Sequence, residues 1–171
     1  MLQIQSESFA DFTEIRQVIT AAFAQPNEAY LVEKIRSSGN FIPELSLVAK
    51  QEGKVVGHIL FSAITLTAET QVYKALALAP LAIQPEWQKQ GIGTQLVQFG
   101  LKQCQDFDYP IAIVLGHPEY YSRFGFQTAS QFEIYPPFRV PDEAFMVREN
   151  QPGSLQQVRG IVQYPRYFEE V

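Results

Sequence analysis

A chain of 171 residues suits one domain, and a content of 46% hydrophobic and 13% aromatic residues supplies enough apolar surface for a packed core. Charged residues make up 18%, and the net charge of −5 carries no block of like charge, which argues against disorder and against nucleic acid as a partner. The single cysteine, Cys104, excludes an internal disulfide and points to a reducing compartment. Residues 1–12 hold Glu7 and Asp11 and lack the basic start and apolar run of a signal peptide. The longest apolar stretch, residues 75–83, is too short to span a bilayer and is broken by Pro80. A cytoplasmic protein with no membrane partner is expected.

Residues 2–5 alternate in polarity and read as a first strand. Asp11 is placed to cap a helix whose apolar positions Phe12, Ile15, Ile19 and Ala22 fall on one face. Asn27 is placed to cap a second helix carrying Leu31, Val32 and Ile35, with Gly39 as its stop. Residues 45–50 and 54–66 are strand-like runs joined by the hairpin turn Gln51-Glu52-Gly53. A third run covers residues 72–83. Its Pro80 cannot donate to a ladder, so this strand should lose regular pairing near its C-terminal end.

A helix opens after Gly93, with Leu96, Val97, Gly100, Leu101 and Cys104 on one face. Residues 111–115 form a short, wholly apolar strand of the kind buried on both faces. A brief helix over residues 118–124 begins with proline at a favoured first-turn position. Strands follow from Phe126, with turns at Pro136-Pro137 and Gln151-Pro152-Gly153. The order predicts a single-domain α/β fold, a mixed sheet with a locally parallel centre flanked by helices.

The strongest chemical signal is Gln88-Lys89-Gln90-Gly91-Ile92-Gly93. Two glycines between a strand and a helix let successive backbone N–H groups converge, and the helix N-terminus adds positive character; together they make an anion site. A tight turn that binds nothing is the plainer reading of the hexapeptide alone. The Walker lysine is missing and the spacing does not fit a dinucleotide fingerprint. The second signal is Tyr121-Ser122-Arg123-Phe124-Gly125-Phe126, which in isolation reads as a helix end with a glycine stop.

Taken together, these segments resemble the GNAT superfamily of N-acetyltransferases. The family's central motif is a strand followed by Gln/Arg-x-x-Gly-x-Gly/Ala at a helix start, matched by Gln88, Gly91 and Gly93. A later tyrosine lies four residues before a Gly-Phe pair, matched by Tyr121, Gly125 and Phe126. Residues 78–83 and 115–121 also look like a bacterial branch of the family.

The resemblance implies acetyl-coenzyme A as co-substrate and a primary amine, on a small molecule or a peptide, as acceptor. It implies that the backbone of Gln88, Lys89, Gln90, Gly91, Ile92, Gly93 and Thr94 binds the pyrophosphate. Leu81, Ala82 and Ile83 would pair with the pantetheine arm beside a splay between parallel strands, and one of their N–H groups would polarise the thioester carbonyl. Tyr121 would protonate the departing thiolate. Homodimers are common in the family. Where many members carry an asparagine about two turns before the tyrosine, this sequence has Gly116-His117-Pro118.

The base is less defined by sequence. Glu28, at the start of the second helix, is the candidate, with Glu86 and Glu119 near the motifs; a solvated surface carboxylate is the plain alternative for each. His58, inside a strand, reads as a hydrogen-bonded core histidine, and Cys104, on an apolar helix face, as an inert buried thiol. No metal-ligand spacing occurs. A non-catalytic coenzyme A-binding sensor is the alternative function, and Tyr121 leans against it because binding needs no proton donor there.

Overall fold

The structure, a computed structural model, describes residues 1–170, which fall into two compact units. Unit one comprises Met1–Ser62, Ala79–Gln103 and the chain from Arg166 on; unit two comprises Ala63–Leu78 and Cys104–Pro165. Two long strands, β3 (Lys54–Ala68) and β4 (Gln71–Ile83), each contribute residues to both.

In unit one, β1 (Leu2–Ser6) runs antiparallel to β2 (Ser46–Gln51), from Leu2↔Gln51 to Ser6↔Leu47, and β2 runs antiparallel to β3. The β2–β3 hairpin turns through Glu52 and Gly53 at φ 51° and 79°. Two successive positive φ values match the right-handed twist of the flanking strands. Helices α1 (Phe12–Phe23) and α2 (Asn27–Arg36) bury Ile15, Ile19, Val32 and Ile35 with Val48 and Leu60 of the strands. Each such fully buried side chain contributes about 1.5–3 kcal/mol, which outweighs the helices' modest intrinsic propensity. Helix α3 (Ile92–Cys104) buries the expected face of Leu96, Val97, Gly100, Leu101 and Cys104.

Three boundary expectations for these helices are corrected. Asp11 does not cap α1 with its side chain. It closes a capping box with Ser8 over the preceding 3-10 turn, Phe9–Asp11, accepts the Ser8 N–H at 2.9 Å and pairs with Lys50 at 2.8 Å. Asn27 is the first helical residue of α2, because Pro26 takes the cap position. The helix stops at Arg36 rather than at Gly39: the Ser38 hydroxyl bonds back to the Ile35 carbonyl at 2.7 Å, which satisfies an orphan acceptor before the glycine is reached.

In unit two, β4 pairs parallel with β5 (Ile111–Leu115) at Leu76↔Ala112 and Ala77↔Ile113. This ladder ends three residues before Pro80, as a residue without an N–H donor leads one to expect. Strand β5 is antiparallel to β8 (Phe145–Glu149) from Ile111↔Glu149 to Leu115↔Phe145, and β6 (Gln127–Thr128) lies beyond β8. Strand β9 (Gly160–Gln163) runs antiparallel to the end of β3 and parallel to β7 (Ile134–Tyr135). The core of this unit gathers Leu66, Ala77, Ile113, Phe145, Val147 and Val162. The mixed parallel and antiparallel sheet with helices is the expected fold class. The brief helix spans the expected residues, α4 (Pro118–Tyr121) tightening into a 3-10 turn over Ser122–Phe124 and closing on Gly125.

Among the described residues, no helix is long and apolar enough to cross a membrane.

Candidate active site

In unit one the glycine-rich segment leaves the end of β4 through a 3-10 turn, Pro85–Trp87, and enters α3. Gly57 on β3 sets how closely this corner packs. A Cβ there would lie 2.9 Å from Ile83 Cδ1 and 3.0 Å from Leu96 Cδ1, so the strand end and the first turns of α3 touch the bare backbone of β3. The Gln88 side-chain amide donates to the Ile83 carbonyl at 3.0 Å and the Gln90 amide to the Glu86 carbonyl at 3.3 Å. Gln88 thus ties the loop to the strand it leaves, and Gln90 ties it to the 3-10 turn between them.

Lys89 and Gly91 take positive φ values of 62° and 84°. Positive φ values next to a helix start are the backbone conformation in which successive N–H groups can converge on an anion. The Gln95 N–H is taken up in helical fashion, on the Gly91 carbonyl at 3.1 Å, while those of Lys89, Gln90, Gly91, Ile92 and Gly93 meet no backbone acceptor among the described residues. A row of unmet donors at a helix N-terminus is an anion-binding arrangement, and phosphate oxygens are suitable partners for it. A Cβ on Gly91 would meet nothing within 4 Å; glycine is required there for its left-handed backbone, not for want of space. Lys89, Gln90 and Gly91 are exposed, Thr94 is half-buried, and Leu81 and Ile83 are half-buried on either side of buried Ala82.

Glu28 also lies in unit one, in the first turn of α2, where the Gln25 side-chain amide donates to both carboxylate oxygens at 2.9 and 3.1 Å. It is a partly exposed carboxylate held by one neutral donor. Glu86 and Glu119 are exposed.

A second polar group in this unit is buried. Glu7 accepts from Arg36 Nε at 2.6 Å, from His58 Nε2 at 3.0 Å, and from the Ser46 hydroxyl, while Arg36 also stacks on the Phe12 ring at 3.8 Å. Burial pushes the Glu7 carboxyl up, but the hydrogen bonds from His58, Arg36 and Ser46 outweigh it and hold it at about 2. Burial pushes the fully enclosed His58 down, so its imidazole is neutral near pH 7 and donates from Nε2. This is the hydrogen-bonded core histidine expected from the sequence, tied into packing rather than chemistry.

In unit two, Tyr121 follows β5 by one short helical turn, its N–H on the His117 carbonyl at 3.1 Å. Its ring packs edge-on against Tyr120 and Phe126, with centroids 5.1 and 5.7 Å apart. It also packs against Gly116, where a Cβ would come within 2.5 Å of Tyr121 Cε2. Gly116 thus makes room for the ring, which gives the Gly116-His117-Pro118 departure from the family pattern a physical role. Burial, and secondarily the neighbouring Tyr120, push the Tyr121 phenol well above its ordinary value, so it remains protonated. Its hydroxyl makes no hydrogen bond to any described residue, which leaves the donor available to a ligand. His117 sits at the cap position of α4, exposed, and makes no side-chain cap bond. Cys104 is buried, and burial pushes its thiol up to about 12, leaving no thiolate at neutral pH. Among the described residues, no three His, Cys, Asp or Glu side chains gather to hold a metal ion.

Residues 3–129 match the family model of an acetyltransferase (GNAT) domain. The chain is 39% identical over 135 residues to the uncharacterized N-acetyltransferase YjhQ of Escherichia coli K12, covering 78% of this chain and 75% of that protein. It is 33% identical over 166 residues to the uncharacterized N-acetyltransferase YhbS of the same organism, covering 96% and 97%. Its fold superposes with a TM-score of 0.90 on the crystal structure of E. coli YhbS in complex with CoA, at 30% identity over 98% of this chain and 92% of that one. A GNAT family acetyltransferase from Brucella melitensis in complex with acetyl-CoA gives a TM-score of 0.78 at 30% identity, with 98% of each chain covered.

Proposed function

Because this chain belongs to the GNAT acetyltransferase family, we propose that it transfers an acetyl group from acetyl-coenzyme A to a primary amine by direct attack in a ternary complex. The observation that carries the reading is the loop at the start of α3, whose unmet N–H donors and positive-φ glycine fit a pyrophosphate. Two solved relatives, named for their complexes with CoA and acetyl-CoA, match nearly the whole chain at 30% identity.

Each residue's part follows from its chemistry. The backbone of Gln88, Lys89, Gln90, Gly91, Ile92, Gly93 and Thr94 binds the diphosphate. The edge of Leu81, Ala82 and Ile83 pairs with the pantetheine amides, and an N–H there stabilises negative charge on the thioester oxygen as the amine attacks. The amine nitrogen forms a bond to the carbonyl carbon, the carbon–sulfur bond breaks, and the thiolate takes the Tyr121 hydroxyl proton, which solvent replaces, while the new amide nitrogen gives its second proton to solvent. Glu28 takes the proton that the attacking ammonium must lose. A non-catalytic coenzyme A sensor would need the loop but not a buried, protonated phenol with its donor unengaged.

The test is release of free thiol from acetyl-CoA. It should require an added amine, saturate in both substrates together, and rise with pH as the amine loses its proton. Glu28→Gln should displace that pH profile, and an unchanged profile removes Glu28 from the mechanism. Thiol release that no amine stimulates, with acetyl-CoA still bound, would leave the sensor reading in place of the enzyme.

A further inference from the structure

Within unit two, the segment between β6 and β8 lines an open pocket of about 410 Å³ that the sequence motifs do not touch. Its walls include Ser130, Tyr135, Phe138, Arg139, Asp142 and Phe145. The volume sits at the small end of the range for small-molecule sites, roughly 300–1,000 Å³. Tyr135 and Phe138 are each 46% exposed, large apolar rings left partly in water. Arg139 is exposed, with no ion pair or hydrogen bond among the described residues.

The lining carries both a carboxylate and a guanidinium, Asp142 and Arg139. Asp142 accepts a hydrogen bond from the Ser130 hydroxyl at 2.9 Å, which fixes its carboxylate and leaves it lone pairs for a cation. Asp142 opens a 3-10 turn that ends at Ala144, and the Ala144 carbonyl accepts the Gly116 N–H at 3.0 Å. Gly116 carries the Tyr121 ring on its Cα face. Phe145 pairs in register with Leu115, immediately before Gly116. The turn that carries Asp142 is therefore joined through one backbone hydrogen bond to the residue that seats Tyr121. Arg139 lies three residues earlier in the chain.

We propose that this cavity is the acceptor site, and that it takes small amines that also carry a carboxylate, of the amino-acid type. The inference rests on Tyr121 acting at the leaving thiolate. The ammonium sits toward Asp142, on the side of Tyr121; the carboxylate pairs with the planar guanidinium of Arg139; the Tyr135 and Phe138 rings flank an apolar side chain. A polyamine, which has a second cation in place of the carboxylate, meets Arg139 unfavourably. Specificity arises here because an acceptor without the anion leaves Arg139 unmatched.

Three probes that share one side chain test this: phenylalanine, phenylalaninamide and phenethylamine. Each is titrated calorimetrically into the CoA-bound protein and assayed for thiol release with acetyl-CoA. Phenylalanine should bind at least tenfold more tightly than either analogue. Arg139→Gln should erase that preference, and Asp142→Asn should weaken all three by tenfold or more. Both positions are exposed, so the variants keep the fold, and an unchanged melting temperature verifies it. Phenylalanine binding without thiol release would sink the acetyl-transfer reading while leaving the cavity's ligand chemistry intact. Turnover of all three probes with equal KM, unaffected by Arg139→Gln, would overturn the cavity assignment and leave acetyl transfer standing. Failure of phenylalanine to bind at millimolar concentration would also overturn it.

Discussion

Replacing Glu7 with glutamine removes the one negative charge that Arg36, His58 and Ser46 share, while keeping the side chain's shape. A carboxyl held at about 2 rather than its ordinary 4.5 favours the folded, ionised state by roughly 3 kcal/mol, at about 1.36 kcal/mol for each tenfold change in proton affinity. The Glu7 side chain is 3% exposed, so solvent screens little of this. Glu7→Gln should therefore lose roughly 3 kcal/mol at pH 7, in line with the loss of one partner from a buried pair. Because the folded value is depressed, the stabilisation is present above pH 4.5 and disappears as pH falls toward 2. His58, also depressed, adds a separate loss that begins below pH 6.5, where the unfolded chain takes up a proton and the buried ring, facing Glu7, Ser46 and Arg36, does not. Urea unfolding followed by the fluorescence of Trp87, the single tryptophan and a resident of the same unit, reads both effects. Both proteins should lose the contribution of Asp11, also depressed by Lys50 and Ser8, but wild type should fall more steeply between pH 4.5 and 2, so that the two curves converge. Parallel curves across that interval, or a difference at pH 7 below about 0.5 kcal/mol, would refute the charge-pair account.

Acetyl-CoA at a hundredfold excess over its dissociation constant should stabilise the wild type by about 2.7 kcal/mol, seen as a higher melting temperature. Gly91→Val should abolish that shift, since a β-branched residue resists φ 84° and its side chain would stand where the phosphate approaches; a retained shift would place the diphosphate elsewhere. Cys104 should resist iodoacetamide at pH 8 in the native state and react on unfolding, as a buried thiol held at about 12 requires, and rapid native labelling would contradict its burial.

What could be read from the sequence depended on how far apart the interacting residues lie. The glycine loop is local: Gln88, Gly91 and Gly93 carry their own turn chemistry, and the strand before and helix after follow from apolar periodicity. Pro80 announced the end of the parallel ladder because a missing N–H acts wherever it occurs. The errors at Asp11, Asn27 and Gly39 stay within one turn, where several residues competed for the same orphan groups. By contrast, His58 and Glu7 stand 51 residues apart, and nothing near either one shows the pair. Strands β6, β7 and β9 have two to four residues, too few for a period, and are defined by the strands they pair with. The cavity walls lie in that same segment, so Ser130, Arg139 and Asp142 gave no signal beyond polar residues in a turn-rich stretch.

The most direct test of the proposed chemistry is the turnover number of Tyr121→Phe beside Tyr120→Phe. The two rings meet at 90°, so each variant is the other's control for local packing. A phenol raised by burial is a weak acid, but the same burial raises the basicity of a thiolate beside it, so donation from the hydroxyl can accompany carbon–sulfur cleavage. Removing the Tyr121 oxygen should lower kcat by about 10² to 10⁴-fold, the range for a lost general acid, with the acetyl-CoA melting shift preserved. Tyr120→Phe should leave kcat nearly unchanged. An active enzyme indifferent to Tyr121→Phe would show that sulfur takes its proton from water, and would contradict the account at its centre.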